Sequence, residues 1–287
     1  MKKSHFKTHL LFYVLITMLL ALIVWTIWGN TALMANSITL SGNQIPSEFS
    51  GFRIAQVSDL HNAEFGEKNS LLLNRLSENK PDIIAITGDL VDAQHTNIDV
   101  ALSFAEKAVQ IAPVYYVTGN HEASLSQYSE LKTGLEAAGV IVLDDKAIQL
   151  EHNGGIVTLM GLSDPNFTIK SNIFDEVPAM ISTKLNDLTE DKAGYTILLS
   201  HRPELFDTYV SCGVDLVLSG HAHGGQFRLP LIGGLVAPNQ GFFPKYDAGL
   251  YSDGGTNMVV SRGLGNSIIP LRFNNRPEIV LVELTAD

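Results

Sequence analysis

Five short apolar runs, each followed at once by a polar cluster, constrain the fold of this chain more than any other feature: FRIAQV (52–57), DIIAIT (82–87), VYYVT (114–118), YTILLS (195–200) and VDLVLS (214–219). Runs this short and this continuous read as strands covered on both faces. Amphipathic stretches at 70–78, 97–111, 124–138, 174–188 and 203–211 lie between or beside them and predict helices, with Gly139 and Gly213 placed as stop residues. The repeated order of apolar run, polar cluster and helix indicates βαβ units. GIVTLMGL (155–162), GLYSDG (249–254), NMVVSRGL (257–264) and EIVLVEL (278–284) are strand-like with only loops around most of them, which predicts a second, mainly antiparallel layer. Two sheets packed face to face, with helices outside both, use all of these parts.

A second constraint precedes these runs. Residues 10–29, LLFYVLITMLLALIVWTIWG, carry no charged side chain, and a helix of that length at about 1.5 Å per residue spans roughly 30 Å, the hydrocarbon thickness of a bilayer. Lys2, Lys3 and Lys7 precede the stretch and no Lys or Arg follows it before Arg53. A single-pass anchor in the cell membrane is therefore expected, with the N-terminus cytoplasmic and the remainder outside. The alternative is a cleaved signal and an exported protein, but the apolar core of a signal runs only about 7 to 15 residues and ends in small residues; here Leu33 stands where a small one is wanted. Lys+Arg 19 against Asp+Glu 30 gives a net charge of −11, which opposes capture of a polyanion and makes nucleic acid an unexpected partner. Cys212 is the single cysteine, so an internal disulfide and a zinc–thiolate cluster are both excluded.

The polar clusters that close the five runs are SDLH with Asp59 and His61, GDLVD with Asp89 and Asp92, GNHE with Asn120, His121 and Glu122, SH with His201, and GHAH with His221 and His223. Ligands of open α/β sheets bind outside the carboxyl ends of the strands, where such clusters would meet. Carboxylate, imidazole and amide oxygen without thiolate suit Mn, Fe, Zn or Co. Asp59, His61, Asp89, Asn120, His201, His221 and His223 are more donors than one tetrahedral ion takes. They fit two ions about 3.5 to 4 Å apart, clamping an in-line displacement at phosphorus, and Asp89, in the middle of the set, is the natural shared ligand. The two imidazoles of GHAH would face opposite ways on an extended strand, so a joint role needs a loop, which the flanking glycines permit. His5, His9, His95 and His152 lie outside these clusters and read as ordinary histidines.

The ordered string D-x-H, G-D-x-x-D, G-N-H-E, H and G-H-x-H resembles the calcineurin-like metallophosphoesterases from Asp59 through His223. HGGQFRLP, SRGLGNSIIPLRFNNRPEIVLVEL and the N-terminal apolar segment resemble their membrane-associated bacterial phosphodiesterase branch. The resemblance implies an α/β fold, a four-layer αββα sandwich, with residues 1–37 as cytoplasmic stub, transmembrane helix and linker and 38–287 as catalytic domain. It implies two divalent metal ions, manganese first and Fe, Zn or Co as alternatives. Asp59, His61 and His223 would hold one, Asn120, His201 and His221 the other, and Asp89 would bridge them. His121 would donate a proton to the leaving oxygen or contact the phosphate; Glu122 reads either as the group that orients it or as a solvated carboxylate at a helix start, and Asp92 as a supporting acid rather than a ligand. The expected reaction is hydrolysis by a hydroxide held between the metals, without a covalent enzyme intermediate.

One departure narrows the substrate. Phosphoprotein phosphatases carry G-D-x-V-D-R-G and R-G-N-H-E, whereas Ala93 and Thr118 occupy the places of those arginines here. A phosphodiester or pyrophosphate is expected, on an envelope or lipid-linked molecule, with Arg202, Arg228 and Arg262 as possible replacements for the missing arginines, Arg202 and Arg262 foremost as substrate-binding candidates, and a surface or loop-packing role as the alternative for each. Residues 229–243, LPLIGGLVAPNQGFF, are either an acyl-accepting rim above the membrane or a buried connection. A UDP-sugar-lipid pyrophosphatase, and a non-catalytic binder of phosphorylated envelope ligands, stand as alternatives. No obligate protein partner is expected.

Overall fold

A computed structural model of the chain describes residues 2–169, 176–190, 194–266 and 270–287. It opens with helix α1 (Lys2–Thr31), whose part His9–Thr31 is long and apolar enough to cross a membrane and has its apolar stretch unburied by the rest of the chain. After two intervening residues strand β1 (Met34–Ser41) begins.

Sheet one runs in the order β1, β16 (Glu278–Thr285), β2 (Arg53–Val57), β3 (Ile83–Thr87), β4 (Val114–Val117), β5 (Ile141–Val142). β16 is parallel to β1 and antiparallel to β2, and β2 to β5 are parallel. Sheet two runs β14 (Gly249–Asp253), β15 (Thr256–Val260), β9 (Leu216–Ser219), β8 (Thr196–Leu199), β7 (Gly155–Gly161), β6 (Lys146–His152). Alternation along each strand explains its unbroken apolar run. On β3, Ile83 and Ala85 join the core between the sheets, while Ile84 and Ile86 join the core beneath the outer helices. That outer core holds Leu72 and Leu76 of α2 (Ser70–Asn79), Phe104 and Ala108 of α3 (Ile98–Ala108), and Leu131 and Leu135 of α5 (Tyr128–Ala137). On the far side, Ile181 and Leu185 of α6 (Val177–Thr189) and Phe206 and Tyr209 of α7 (Phe206–Ser211) cover sheet two. Three cores between four layers make the αββα sandwich.

Several expectations require correction. The five early runs do not share one sheet: β8 and β9 lie in sheet two, and EIVLVEL returns to sheet one as β16. Sheet two is not mainly antiparallel, because β15, β9, β8 and β7 are mutually parallel and only the edge pairs β14–β15 and β6–β7 are antiparallel. The cause is topological, since the pairing partner of a fully apolar strand is not encoded in its own alternation. The helix expected at 124–138 begins only at Tyr128, after the short α4 (Asn120–Ala123). The helix expected at 174–188 begins at Val177 with Pro178 in its first turn; residues 174 and 175 lie outside the described residues. The supposed linker ending at 37 is already strand, because β1 is paired along its whole length with β16.

Candidate metal centre

Asp59 follows β2, Asp89 follows β3, Asn120 opens α4 after β4, His201 follows β8, and His221 and His223 follow β9. The two sheets are stitched together at these ends. Gln56 Nε2 donates to the Ser219 carbonyl at 2.8 Å, and His201 Nδ1 lies 2.7 Å from the Thr87 carbonyl. In the second contact Nδ1–H donates to the carbonyl, which leaves Nε2 of His201 facing inward.

The donor atoms form two triads, Asp59 with His61 and His223, and Asp89 with His201 and His221, in each of which the atoms lie within 4.8 Å of one another. In the first, His223 Nε2 is 3.3 Å from Asp59 Oδ1 and 3.2 Å from His61 Nε2. In the second, His201 Nε2 is 3.1 Å from Asp89 Oδ2 and 3.2 Å from His221 Nδ1. Asp89 Oδ2 also stands 3.6 Å from His61 Nε2, so one carboxylate oxygen faces both triads, while Oδ1 accepts the His121 N–H at 2.9 Å. Asn120 Oδ1 is buried without a hydrogen-bond partner, a costly condition that a cation would relieve. This oxygen and the thiolate-free donor set fit divalent metal ions.

Backbone conformation explains how so many side chains point inward. Asp59, His61, Asp89, His221 and His223 have φ of 53°, 45°, 52°, 67° and 48°, the left-handed region that non-glycine residues rarely enter. In the GHAH loop, two such turns around Ala222 at φ −75° bring both rings to the same cluster. Close approach also demands glycine: a Cβ on Gly220 would sit 1.9 Å from Ser58 Oγ and 2.5 Å from Asp59 Oδ2.

Burial sets the electrostatics. It pushes the Asp59 carboxyl up to about 6, with Asp89 adding to the rise against His201, and pushes the His61 imidazole down to about 4. Burial likewise depresses His221 and His223 well below neutrality, helped by Arg202 beside the first and His61 beside the second. Neutral imidazoles are what metal ligation needs. For Asp89 and His201 burial is outweighed by their pairing: Asp89 is held well below the usual carboxylate range and His201 is raised to about 10. A metal ion binding there would displace that shared proton.

The remaining sequence candidates occupy distinct places. His121 Nδ1 accepts the Ala93 N–H at 3.0 Å, and its ring centroid is 4.5 Å from that of His61. The carboxylate of Glu122 is buried, not solvated, and spans the N–H groups of Gly119 (2.7 Å), Asp89 (2.8 Å) and Val91 (3.3 Å). It thus braces the Asp89 loop, and burial beside Asp89 pushes it up to about 8. Asp92 accepts the N–H groups of Gln94 and His95 in a turn, and with His61 and His121 it forms a third convergence of donor atoms. Arg202 is buried in a two-pronged pair with Asp164 (2.5 and 2.9 Å), and its Nη1 lies 3.1 Å from His221 Nε2. It lines a cavity of about 360 Å³ with Glu204, Leu205 and Asn239. Arg262 packs against Gly224 and Glu278 and lines a different cavity, with Trp25, Trp28 and Arg276 at the exit of α1. Of the histidines read as ordinary, His152 packs on Phe49 and Phe52, and His95 borders a cavity of about 400 Å³ shared with His61 and His121. Sequence reasoning missed Asp164, Asn239, whose Nδ2 is 3.1 Å from His221 Nε2, and Asn275, which donates to the His223 carbonyl at 2.6 Å. Their roles exist only through tertiary contact, and no spacing announces them.

Residues 52–225 match the family model described as calcineurin-like phosphoesterase. The chain is 30% identical over 251 residues to the uncharacterized metallophosphoesterase YkuE of Bacillus subtilis, covering 86% of this chain and 83% of that protein. It is 29% identical over 244 residues to the phosphodiesterase YaeI of Escherichia coli, covering 81% and 82%. The crystal structure of TT1561 of Thermus thermophilus shares the fold at a TM-score of 0.52 and 15% identity, over 75% of this chain and 91% of that one. With more than half the chain matched and every signature cluster gathered at one end of the sandwich, the chain belongs to the calcineurin-like phosphoesterases, hydrolases of phosphoric esters.

Proposed function

We propose that this chain hydrolyses phosphodiester or pyrophosphate bonds at a centre of two divalent ions, with manganese as the native metal. Asp59, His61 and His223 would hold one ion, Asn120, His201 and His221 the other, and Asp89 would serve both. The observation that carries this reading is the single Asp89 oxygen facing His61 at 3.6 Å and His201 at 3.1 Å. When bound, the ions supply Lewis acidity, both for acidifying an attacking water and for neutralising charge on the phosphoryl oxygens.

The chain's own groups do the rest. Because His121 Nδ1 accepts the Ala93 N–H, the neutral ring carries its proton on Nε2, where it serves the leaving oxygen. Glu122 keeps the Asp89 loop in its left-handed turn, and Asp164 holds the Arg202 guanidinium toward the cavity beside His221. The preference for a diester rests on two positions. Thr118 is committed to structure, its Oγ1 lying 3.2 Å from Asp144 and accepting the Asp164 N–H, and Ala93 offers only its backbone. A dianionic terminal phosphate would lack the paired arginines that balance it. Helix α1 supports a substrate in the envelope, with the catalytic domain outside the cytoplasm.

The test is a substrate panel on the purified full chain with Mn: bis-p-nitrophenyl phosphate, p-nitrophenyl phosphate, a nucleotide-sugar and extracted lipids. Diester turnover should exceed monoester turnover by at least about tenfold; turnover of the monoester alone would sink the diester reading, and preference for the nucleotide-sugar would favour the pyrophosphatase. Asp89→Asn should lose both metal and turnover. His121→Ala should keep its metal and lose about 10²- to 10⁴-fold in kcat, whereas a non-catalytic binder would have no turnover to lose.

A further inference from the structure

We propose that the tip of one hairpin and the open end of the next, both beside the metal centre, lie in the surface of a lipid bilayer next to α1, so that the enzyme works on phosphodiesters of lipid headgroups; this rests on the reading of α1 as a membrane-spanning helix and of the centre as a diesterase. The first hairpin is β10 (Arg228–Leu229) with β11 (Gly233–Gly234), the second β12 (Val236–Ala237) with β13 (Gly241–Phe242). Their tips and flanks carry Leu231, fully exposed, Ile232 at 61%, Phe242 at 80% and Phe243 at 65% exposure. Four large apolar side chains in neighbouring hairpins exceed the scattered exposure normal for a soluble surface. Leu231 and Phe243 are moreover held at φ of 69° and 56°, conformations that are unfavourable for bulky residues and that no burial within the chain repays here.

The exit of α1 and these hairpins are fastened to the same short segment, residues 271–276. Asn30 exchanges two hydrogen bonds with the backbone of Arg272 (3.0 and 2.8 Å), Arg276 donates to the Ala32 carbonyl at 2.8 Å, and its guanidinium lies 4.4 Å from the centre of the Trp28 ring. From the other side, Arg228 N–H donates to the Phe273 carbonyl at 3.0 Å, and Gln226 Nε2 to the Leu271 carbonyl at 2.8 Å. Leu271 and Phe273 are themselves partly exposed and extend the apolar patch between helix and hairpins. Continuity with the spanning helix, tryptophans at its outer end and exposed Lys245 just behind Phe243 select a bilayer as the occupant.

The same hairpins reach the chemistry. Asn239, in the β12–β13 turn, is 3.1 Å from His221 Nε2, and Arg228 donates to the carbonyl of Gly224 beside His223 at 2.8 Å. The cavity lined by Leu205, Arg202 and Asn239 therefore adjoins a rim that meets acyl chains.

The experiment uses the full chain in phosphatidylglycerol–phosphatidylcholine vesicles, with Cys212→Ser and a single labelled cysteine as Leu231→Cys, Phe243→Cys or, at an exposed position of α5, Glu130→Cys. Doxyl-labelled lipids should quench an environment-sensitive fluorophore at 231 and 243 by about half or more and leave 130 unchanged. Equal quenching at all three sites, or none at 231 and 243, overturns the proposal, as does cross-linking of these cysteines between copies in place of quenching. In a second arm, Leu231→Ser with Phe243→Ser should lower the ratio of vesicle-diester to water-soluble-diester turnover by at least about tenfold; an unchanged ratio counts against it. Quenching without turnover of any diester would defeat the catalytic reading and leave the membrane contact standing.

Discussion

At the scale of single residues, the centre is held under strain. A left-handed turn at a non-glycine residue costs about 1–2 kcal/mol, and five of the seven donors adopt one. That outlay is recovered through hydrogen bonds such as those from the His221 N–H to the Asp59 carboxylate at 3.1 and 3.2 Å. Gly220 is where this arrangement has least slack. Gly220→Ala should destabilise the protein by about 1–3 kcal/mol and reduce metal content from two ions toward one, measured by denaturant unfolding and by metal analysis; unchanged values in both would show that the loop relaxes freely. Residue types and spacing marked the seven candidate donors that the fold brings to one place, because metal ligation requires a limited chemistry and the five clusters recur at strand ends. The bracing of Arg202 by Asp164 and of the His223 loop by Asn275 was not legible, since those partners lie 38 and 52 residues away with nothing local to mark them.

At the scale of elements, most strands could be placed to within a residue or two because an apolar run has few alternatives. Strand pairing could not, and neither could β1 or β6, whose mixed polar sequences MANSITLS and KAIQLEH become strands only against their neighbours. Glu278 shows what such a late-formed pairing buries. It opens β16, bonds Asn36 of β1 and the Arg262 N–H at 2.8 Å, and burial raises its carboxyl above the ordinary 4.5. The folded chain then keeps a proton that the unfolded chain has released, so this group's contribution to stability declines as pH rises from about 4.5 through the raised value. Glu278→Gln should flatten that decline in denaturant melts taken between pH 4 and neutrality; an unaltered profile would assign the dependence elsewhere. In α3, Phe104 is fully buried beneath sheet one. Phe104→Ala should cost about 3–5 kcal/mol while leaving the metal stoichiometry of the folded fraction intact, which separates packing from ligation.

At the scale of the whole molecule, the candidate metal centre sits on the seam between two sheets, with His201 and Asp59 supplied from opposite sides of it. Ions bound only by the folded state add stability by mass action, about 2.7 kcal/mol at a hundredfold excess over Kd. Chelation should therefore lower the Tm of the full chain, and Mn should restore it; a Tm indifferent to chelator would mean that the sheets close without help from the donors. The pairing of β1 with β16 has a separate consequence, for biogenesis. β16 is inserted between β1 and β2, although every other strand of the domain precedes it in sequence. Sheet one thus stays gapped during synthesis until β16 has emerged, and ending the chain after Pro277 should yield a protease-sensitive species with α1 intact. A protease-resistant product of that truncation would show that the nascent domain can close its gap some other way.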